Sequence, residues 1–360
     1  MIHSIDSISF ALRSLYRSYG YLRYKMSKFE EYDFYVRNKD FLISDSVITF
    51  TDTNGRLMAL KPDVTLSIVK NSRDISGSVQ KVFYNENVYR VSESTHSFRE
   101  IVQLGLECIG DVDDYCIYEV VSLAAQSLRQ ISPSSVLTLS HLGVFSQVLR
   151  NVPDEIRRQL MRCVRDRNAH EIRRLCDENG LREEKRLLTG LLLCHGKPAD
   201  ALAQAERLMG ACDALAQLQT LAASFDGTAL APMLRVDFSV VGDINYYNGV
   251  LFKGFVQGVP TAVLSGGQYD RLMRKMGREA GAIGFAVYTD LLEQLSAGEE
   301  AYDADALLLY PSGASIAEVA RAVDQLKTGG RRVIAQRTQP EKLRVRETWQ
   351  LIDGEVIRNA

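Results

Sequence analysis

Apolar residues recur at helical spacing from the start of the chain. Ile5, Ile8, Leu12, Leu15, Tyr16 and Tyr19 fall on one face and Gly20 follows as a stop, which predicts an amphipathic opening helix. Val47 to Thr51 and Arg56 to Leu60 read as strands around Asp52-Thr53-Asn54-Gly55, where Asn-Gly supplies the positive φ angles of a tight hairpin. Lys61-Pro62 ends the second run, and Asp63 is placed to cap a helix beginning near Val64. VQKVFY and VYRV form a further predicted hairpin turning at Asn85-Glu86-Asn87; after a polar loop from Ser92 to Ser97, EIVQLGLECIG reads as another strand. Asp113 or Asp114 opens a helix with Ile117, Val120, Val121, Ala124 and Leu128 on one face, and VLTLSHL reads as a strand.

From Gly143 to about Phe225 the pattern changes to Leu, Ala, Arg and Glu at helical spacing without strand signals. Strands resume with MLRVDFSVV, NYYNGVLFKGF and TAVLS. Gly266-Gly267 reads as a turn, QYDRLMRKMG as a helix, GAIGFAVY as a buried strand and TDLLEQLS as a helix. Beyond a linker with Gly298, Glu299 and Glu300 come a strand (ADALLLY), a helix (ASIAEVARAVDQLKTG), a strand (RRVIAQR) and a final hairpin, TWQLIDGEVIR. Neighbouring strands joined by hairpins favour an antiparallel sheet. The pattern therefore predicts an α+β chain: a sheet core over 1–142 and 229–297 flanked by helices, a helical insertion at 143–228, and a small α/β domain at 303–360.

Composition narrows the function classes. The 360 residues, 46% hydrophobic, suffice for one large core and smaller companions. With 43 basic against 45 acidic residues the net charge is −2, which argues against wrapping nucleic acid. The pairs Arg157-Arg158 and Arg173-Arg174 stand among acids and read as solvated helix faces. Six cysteines without a CxxC pair read as reduced core residues, and Cys194-His195 lacks the second half of a metal site, so no metal is expected. The first residues carry no secretory pattern and no 18-residue apolar run occurs, so a soluble, cytoplasmic protein without membrane association is expected. GxSxG, GxxxxGK[ST] and GxGxxG are all missing, which leaves no nucleophile elbow or phosphate-cradling loop.

What remains fits a pocket for a small zwitterion better than a reaction centre. Asp63 lies between a strand and a helix, Gln103 and Glu107 share one face of a strand, Arg90 closes the second predicted hairpin, and Tyr246-Tyr247 follow Asn245. Carboxylates bind an ammonium or imidazolium, glutamine and threonine orient an α-amino group, and tyrosine bonds an imidazole nitrogen. On spacing alone a plainer reading stands beside it: a strand glutamate that faces solvent and a Tyr-Tyr pair that is half core, half surface.

These segments, in this order, resemble the histidyl-tRNA synthetase family over residues 5 to 295. ALKPDVT resembles the segment LRPEGT that grips the amino group of histidine, with Asp63 for the glutamate and Thr65 retained. FYNENVYRVSESTHSFREIVQLGLECIG resembles motif 2, with Arg90 at the ATP-facing arginine and Gln103 and Glu107 at histidine-contacting positions. NYYNGVLF resembles RGLDYY, placing Tyr246 and Tyr247 in the histidine pocket, and SGGQYDRL with GAIGFAVYTDLL resembles motif 3 and its approach. The resemblance thus implies a class II synthetase-like core.

The departures imply a different role. Motif 2 is one residue shorter between Arg90 and Gln103, and its R-x-E becomes Arg90-Val91-Ser92 with Glu93 next to it. The histidine-specific arginine falls on Gly242, the motif 3 arginine on Leu291, and Tyr288 replaces a glycine. Loss of such electrostatic stabilisers typically costs several kcal/mol in the reaction they serve. A core of this kind, with a C-terminal domain shorter than the anticodon-binding one, is similar to the regulatory subunits of short-form ATP phosphoribosyltransferase. That resemblance implies a non-catalytic subunit of the first enzyme of histidine biosynthesis, working with the short catalytic subunit and conferring feedback inhibition by L-histidine. It further implies no cofactor, no tRNA, and a homodimer within a hetero-oligomer, paired through SLYRSYGYLRYKMSKFEEYDFY. A divergent synthetase-like protein with aminoacylation or another RNA- or amino-acid-related role is the alternative.

Overall fold

A computed structural model describes residues 5–38, 47–72, 77–91, 97–242, 246–292 and 302–359. Ser92, Glu93, Asn245, the linker Gly298-Glu299-Glu300 and the second half of TDLLEQLS lie outside the described residues. The chain divides into two compact units, Met1–Gln294 and Leu295–Ala360.

The opening helix α1 (Ile5–Ser18) buries Ile8, Leu12 and Tyr16, as its periodicity predicts. Short strands β1 (Leu22–Arg23) and β2 (Phe29–Glu31) lead to helix α2 (Tyr32–Arg37). Strands β3 (Thr49–Thr51) and β4 (Leu57–Leu60) pair antiparallel, with β2 on the other side of β4. Their loop is longer than the sequence suggested. Gly55 takes a positive φ of 80° but Asn54 does not, because the Asp52 carboxylate accepts from the backbone N–H groups of Asn54 and Arg56, both at 2.8 Å, and organises a wider turn. Asp63 caps α3 (Val64–Asn71) as expected, its Oδ1 accepting from the Leu66 N–H at 2.9 Å.

The predicted hairpin at Asn85-Glu86-Asn87 does not form. Strand β5 runs unbroken over Val79–Val91 and pairs along its whole length with β6 (Phe98–Gly110). Each polar residue of the supposed turn has a reason to stay extended: Glu86 pairs with the buried Lys61 at 3.0 Å, and Asn87 bonds Glu100, which Tyr89 also reaches at 3.0 Å. Helix α4 (Asp114–Ile131), capped by Asp113, lies under the sheet with Ile117, Val120, Val121, Ala124 and Leu128 buried. Tyr16 joins it to the sheet, with edge contacts to Phe83 and Phe285 and a hydroxyl bond to Ser127 at 3.0 Å.

Strand β7 (Ser135–His141) precedes the helical insertion, which comprises α5 (Leu142–Val148), α6 (Asp154–Arg165), α7 (Ala169–Glu178), α8 (Arg182–Leu191), α9 (Pro198–Met209) and α10 (Asp213–Ala223). It contains one departure from the expected all-helical stretch, the two-residue strand β8 (His195–Gly196), which adds to the sheet edge against β9 (Leu234–Asp237). The sheet is completed by β10 (Val250–Val256), β11 (Leu264–Gln268) and β12 (Gly281–Tyr288), with α11 (Asp270–Lys275) between the last two. Its strand order is β1-β5-β6-β12-β11-β10-β7-β9-β8. Every pair is antiparallel except β1 with β5 and β7 with β9. Gly266 and Gly267 lie inside β11, not in a turn. A Cβ at Gly266 would sit 2.4 Å from the Gly284 carbonyl oxygen and one at Gly267 2.7 Å from that of Val250, so these glycines serve close strand approach. TDLLEQLS begins as a single 3₁₀ turn, Thr289–Leu292. Among the described residues no helix is long and apolar enough to cross a membrane.

In the second unit β13 (Ala304–Leu309) is flanked by β14 (Val333–Gln336) and β15 (Val345–Ile352), both parallel to it, and β16 (Glu355–Arg358) pairs antiparallel with β15. The predicted hairpin turns at Asp353 and Gly354, both at positive φ (48° and 82°). Helix α12 (Ile316–Lys327) starts in a capping box between Ser315 and Glu318 and packs Ala322 and Leu326 with Leu308 and Leu351.

Candidate functional site

The face of the sheet opposite α4 carries a cavity of about 790 Å³, and all seven residues that the sequence singled out line it: Asp63, Thr65, Arg90, Gln103, Glu107, Tyr246 and Tyr247. Glu107 is the polar centre. Its position in β6 faces Gly284 in β12, and a Cβ there would lie 1.7 Å from Glu107 Oε2, so the carboxyl occupies space that only glycine leaves open. Thr65 at the start of α3 donates to Oε1 at 2.8 Å, and Tyr269, just before α11, donates to Oε2 at 2.8 Å. Glu107 is only 2% exposed, and this burial outweighs both hydrogen bonds, pushing its pKa up to about 8.

Asp63 is buried beside it. Burial raises its pKa against the pull of the Leu66 N–H, the Arg90 guanidinium and Lys61. Arg90 donates through Nε to the Pro62 carbonyl at 3.1 Å, while its Nη2 is buried with no hydrogen-bond partner among the described residues. Such a donor at a cavity wall is an unmet demand for an acceptor. Gln103 is buried between Glu86 and Tyr288 in the register of β5, β6 and β12. Tyr246 stacks tilted on Tyr247 at 4.6 Å and on Tyr269 at 5.9 Å, giving the pocket an aromatic wall.

Tyr288 and Gly242 line the same cavity. Tyr288 is tied down by a 2.7 Å hydroxyl bond to Ser265. Leu291 occupies the 3₁₀ turn that follows. At Gly242 an added Cβ would meet the Tyr247 ring at 2.6 Å, so an arginine there would have to displace that ring.

Several lining residues were not read from the sequence. Tyr84 and Ser265 were concealed because a strand residue's face is known only once the register is fixed, and Tyr269 because it fell in the predicted helix QYDRLMRKMG. Lys253 had a usable signal, a lone cation in the apolar run GVLFKGF. Arg157 pairs with Asp154 at 3.0 Å, and Arg158 is exposed and paired with Glu155, as expected; the same exposed face, with Arg162 and Arg165 at i, i+4 and i+7 of α6, also lines the cavity. Arg174, bridged to Glu171 and Glu178, likewise lies on the solvated face expected.

The profile of the family described as histidyl-tRNA synthetase matches residues 2–292. The ATP phosphoribosyltransferase regulatory subunit of Oceanobacillus iheyensis is 25% identical over 344 residues, spanning 91% of this chain and 83% of that protein. A Bacillus halodurans structure, described as an ATP phosphoribosyltransferase regulatory subunit/histidyl-tRNA synthetase, superposes with a TM-score of 0.75 at 24% identity, covering 92% of this chain and 88% of its own. A chain of the ATP phosphoribosyltransferase complex from Thermotoga maritima superposes with a TM-score of 0.64 at 17% identity, over 80% of this chain and 98% of its own. These likenesses show the class II synthetase-like fold. On a match that spans the sheet core and the helical insertion alike, this chain belongs to the histidyl-tRNA synthetase family.

Proposed function

We propose that the chain is the regulatory subunit of an ATP phosphoribosyltransferase, in the first step of histidine biosynthesis. It does no chemistry itself, assembles with the short catalytic subunit, and reports L-histidine to it. Relatives of that name align over most of the chain. The observation that carries the reading is the cavity end built by the Thr65–Glu107–Tyr269 set and the Arg90 Nη2, unpartnered among the described residues; the resemblance puts two family arginines at Gly242, on the cavity wall, and at Leu291.

In this reading Asp63 and Thr65 take the α-ammonium and Gln103 orients it. Glu107 with Tyr247 reads the imidazole, Tyr246 backs it, and Arg90 Nη2 receives the carboxylate. Histidine regulates only if it binds one state of the complex better than the other, and a difference of about 1–3 kcal/mol suffices for strong inhibition. The subunit acts as a homodimer within the hetero-oligomer, in the cytoplasm and without tRNA. Its parts are the core of 1–142 and 229–297, the insertion of 143–228 and the C-terminal domain of 303–360.

Family membership makes an active synthetase the second reading. Histidine-dependent ATP–pyrophosphate exchange separates the two. We expect no exchange above background, together with restored phosphoribosyltransferase activity when the chain is added to a short catalytic subunit. Robust exchange would overturn the regulatory reading.

A further inference from the structure

We infer that Arg167 is a positioning residue: it clasps the corner of the helical insertion between α6 and α7 to the turn that follows β9, and that turn supports the Tyr247 ring in the amino-acid pocket.

Arg167 stands in a conformation that the chain elsewhere gives to glycine. Helix α6 ends with two reversed bonds, from the Arg167 N–H to the Val164 carbonyl at 3.0 Å and from the Asn168 N–H to the Cys163 carbonyl at 2.8 Å, which puts residue 167 in the left-handed region at a φ of 51°. Helix α7 closes the same way, with Gly180 bonding Asp177 and Leu181 bonding Cys176, and there the left-handed residue is a glycine at 71°. Among the described residues other than glycine, only Arg167 and Asp353 take a positive φ. An arginine is strained in this place and a glycine is not, so the reason for it lies in its side chain.

That side chain crosses to the sheet. Its Nη2 pairs with the Asp237 carboxylate at the end of β9, and its Nε donates to the Ser239 hydroxyl at 3.0 Å. Asp237 in turn organises the residues that follow: its Oδ1 accepts from the Ser239 N–H at 2.8 Å and from the Ser239 hydroxyl at 2.7 Å, while the Val240 N–H reaches the Asp237 carbonyl at 3.1 Å and the Val241 N–H that of Ser239 at 3.0 Å. Both Arg167 and Asp237 stay partly exposed, and an exposed ion pair adds little to stability. What it fixes is the geometry of a turn.

The turn leads into the pocket. Val240, Val241 and Gly242 line the cavity, and Gly242 lies so close against Tyr247 that a Cβ there would meet the ring at 2.6 Å. Helix α6, on the other side of the clasp, lines the same cavity through Met161. One guanidinium thus holds together two stretches of cavity wall whose anchoring residues stand 70 positions apart in the sequence. The insertion has a second tie to the same strand, the pairing of β8 with β9 at His195 and Asp237, so it stays docked when the clasp is lost and only the turn and the helix corner are released.

Arg167→Gly in the full chain separates positioning from stability, because it removes the clasp and relieves the backbone together. We expect a melting temperature equal to or above that of the parent, with amide hydrogen exchange at Val240 and Val241 faster by roughly fivefold or more. Asp237→Asn, which keeps an acceptor for Ser239, should act like Arg167→Gly, and the two combined should accelerate these amides little further, since the ion pair is already gone. Exchange at the two amides within about twofold of the parent overturns the clasp, and so does a fall in melting temperature with faster exchange throughout the insertion, which would make Arg167 an ordinary stabilising contact. The link to the pocket rests on the proposed function and is read by calorimetry with L-histidine: affinity should weaken about threefold or more in Arg167→Gly, because Tyr247 then spends less time in its binding position. Unchanged affinity with faster exchange overturns the support of Tyr247 by the turn. A parent chain that binds no L-histidine counts against the proposed function, and amide exchange alone then decides the clasp.

Discussion

Glu107→Gln is expected to weaken L-histidine binding by about 30-fold or more, which corresponds to the roughly 2 kcal/mol lower bound for truncating one side of a buried, hydrogen-bonded charge pair. The substitution is nearly isosteric, so the acceptor for Thr65 can be kept while the ability to hold a cation is lost. Assembly with the catalytic subunit should change little. Equal loss of both, or a histidine affinity within a factor of about three of the parent, would sink the assignment of Glu107 to the imidazole.

The raised pKa of Glu107 gives the same substitution two pH signatures. An exposed glutamate titrates near about 4.3, whereas Glu107 in the folded chain titrates near about 8. Between those values the folded state binds the extra proton, so this group's contribution to stability falls as pH rises from about 4 through about 8 and is flat beyond. Glutamine has no such loss. The melting temperature of the variant relative to the parent should therefore climb between pH 5 and about pH 9. Histidine affinity has a different profile. Between about pH 6.5 and about 8 a neutral imidazole meets a protonated carboxyl, and the pair already holds the single proton the complex needs. Below that window a second proton must leave, and above it one must be taken up, so affinity drops on both sides; the limb beginning near 8 should vanish in Glu107→Gln.

How much of this was legible beforehand follows from what each residue's position depends on. Asp63, Gln103 and Glu107 were readable because local rules place them, a cap after a proline and two residues four apart on a strand, whereas Thr65 came from the resemblance of ALKPDVT to LRPEGT. The unbroken β5 was not, because Asn85-Glu86-Asn87 looks like a turn until Lys61, 25 residues earlier, is known to pair with Glu86. Gly266-Gly267 looked like a turn for a similar reason, since its backbone approaches belong to strands distant in sequence. The arginines of α6 were visible at i, i+4 and i+7, yet the side on which the insertion meets the sheet decides whether such an exposed face also lines a cavity, and periodicity carries no information about that. The helix after Tyr288 shortened to a 3₁₀ turn within the described residues, a difference that apolar spacing alone does not report.

Gly284→Ala should be among the most damaging single changes available to the core. The new Cβ would lie 1.7 Å from Glu107 Oε2 and 2.5 Å from the Leu106 carbonyl oxygen. Swinging the carboxyl away relieves the first contact only, because the second is backbone in the neighbouring strand β6. Overpacking of this type costs about 1–3 kcal/mol, and a carboxyl displaced from Thr65 and Tyr269 leaves buried groups unsatisfied at about 1–3 kcal/mol more. A total near 3 kcal/mol lowers the melting temperature by roughly 4–5 °C in a chain this long, and histidine binding should be lost with it. A double-mutant cycle divides the two contacts. In a Glu107→Ala background the carboxyl that meets the Cβ is gone, so Gly284→Ala should cost at least about 1 kcal/mol less there than in the parent. Additive effects would mean that the glycine serves strand approach alone and that Glu107 is free to move within the pocket, which would remove the fixed carboxyl on which histidine recognition depends.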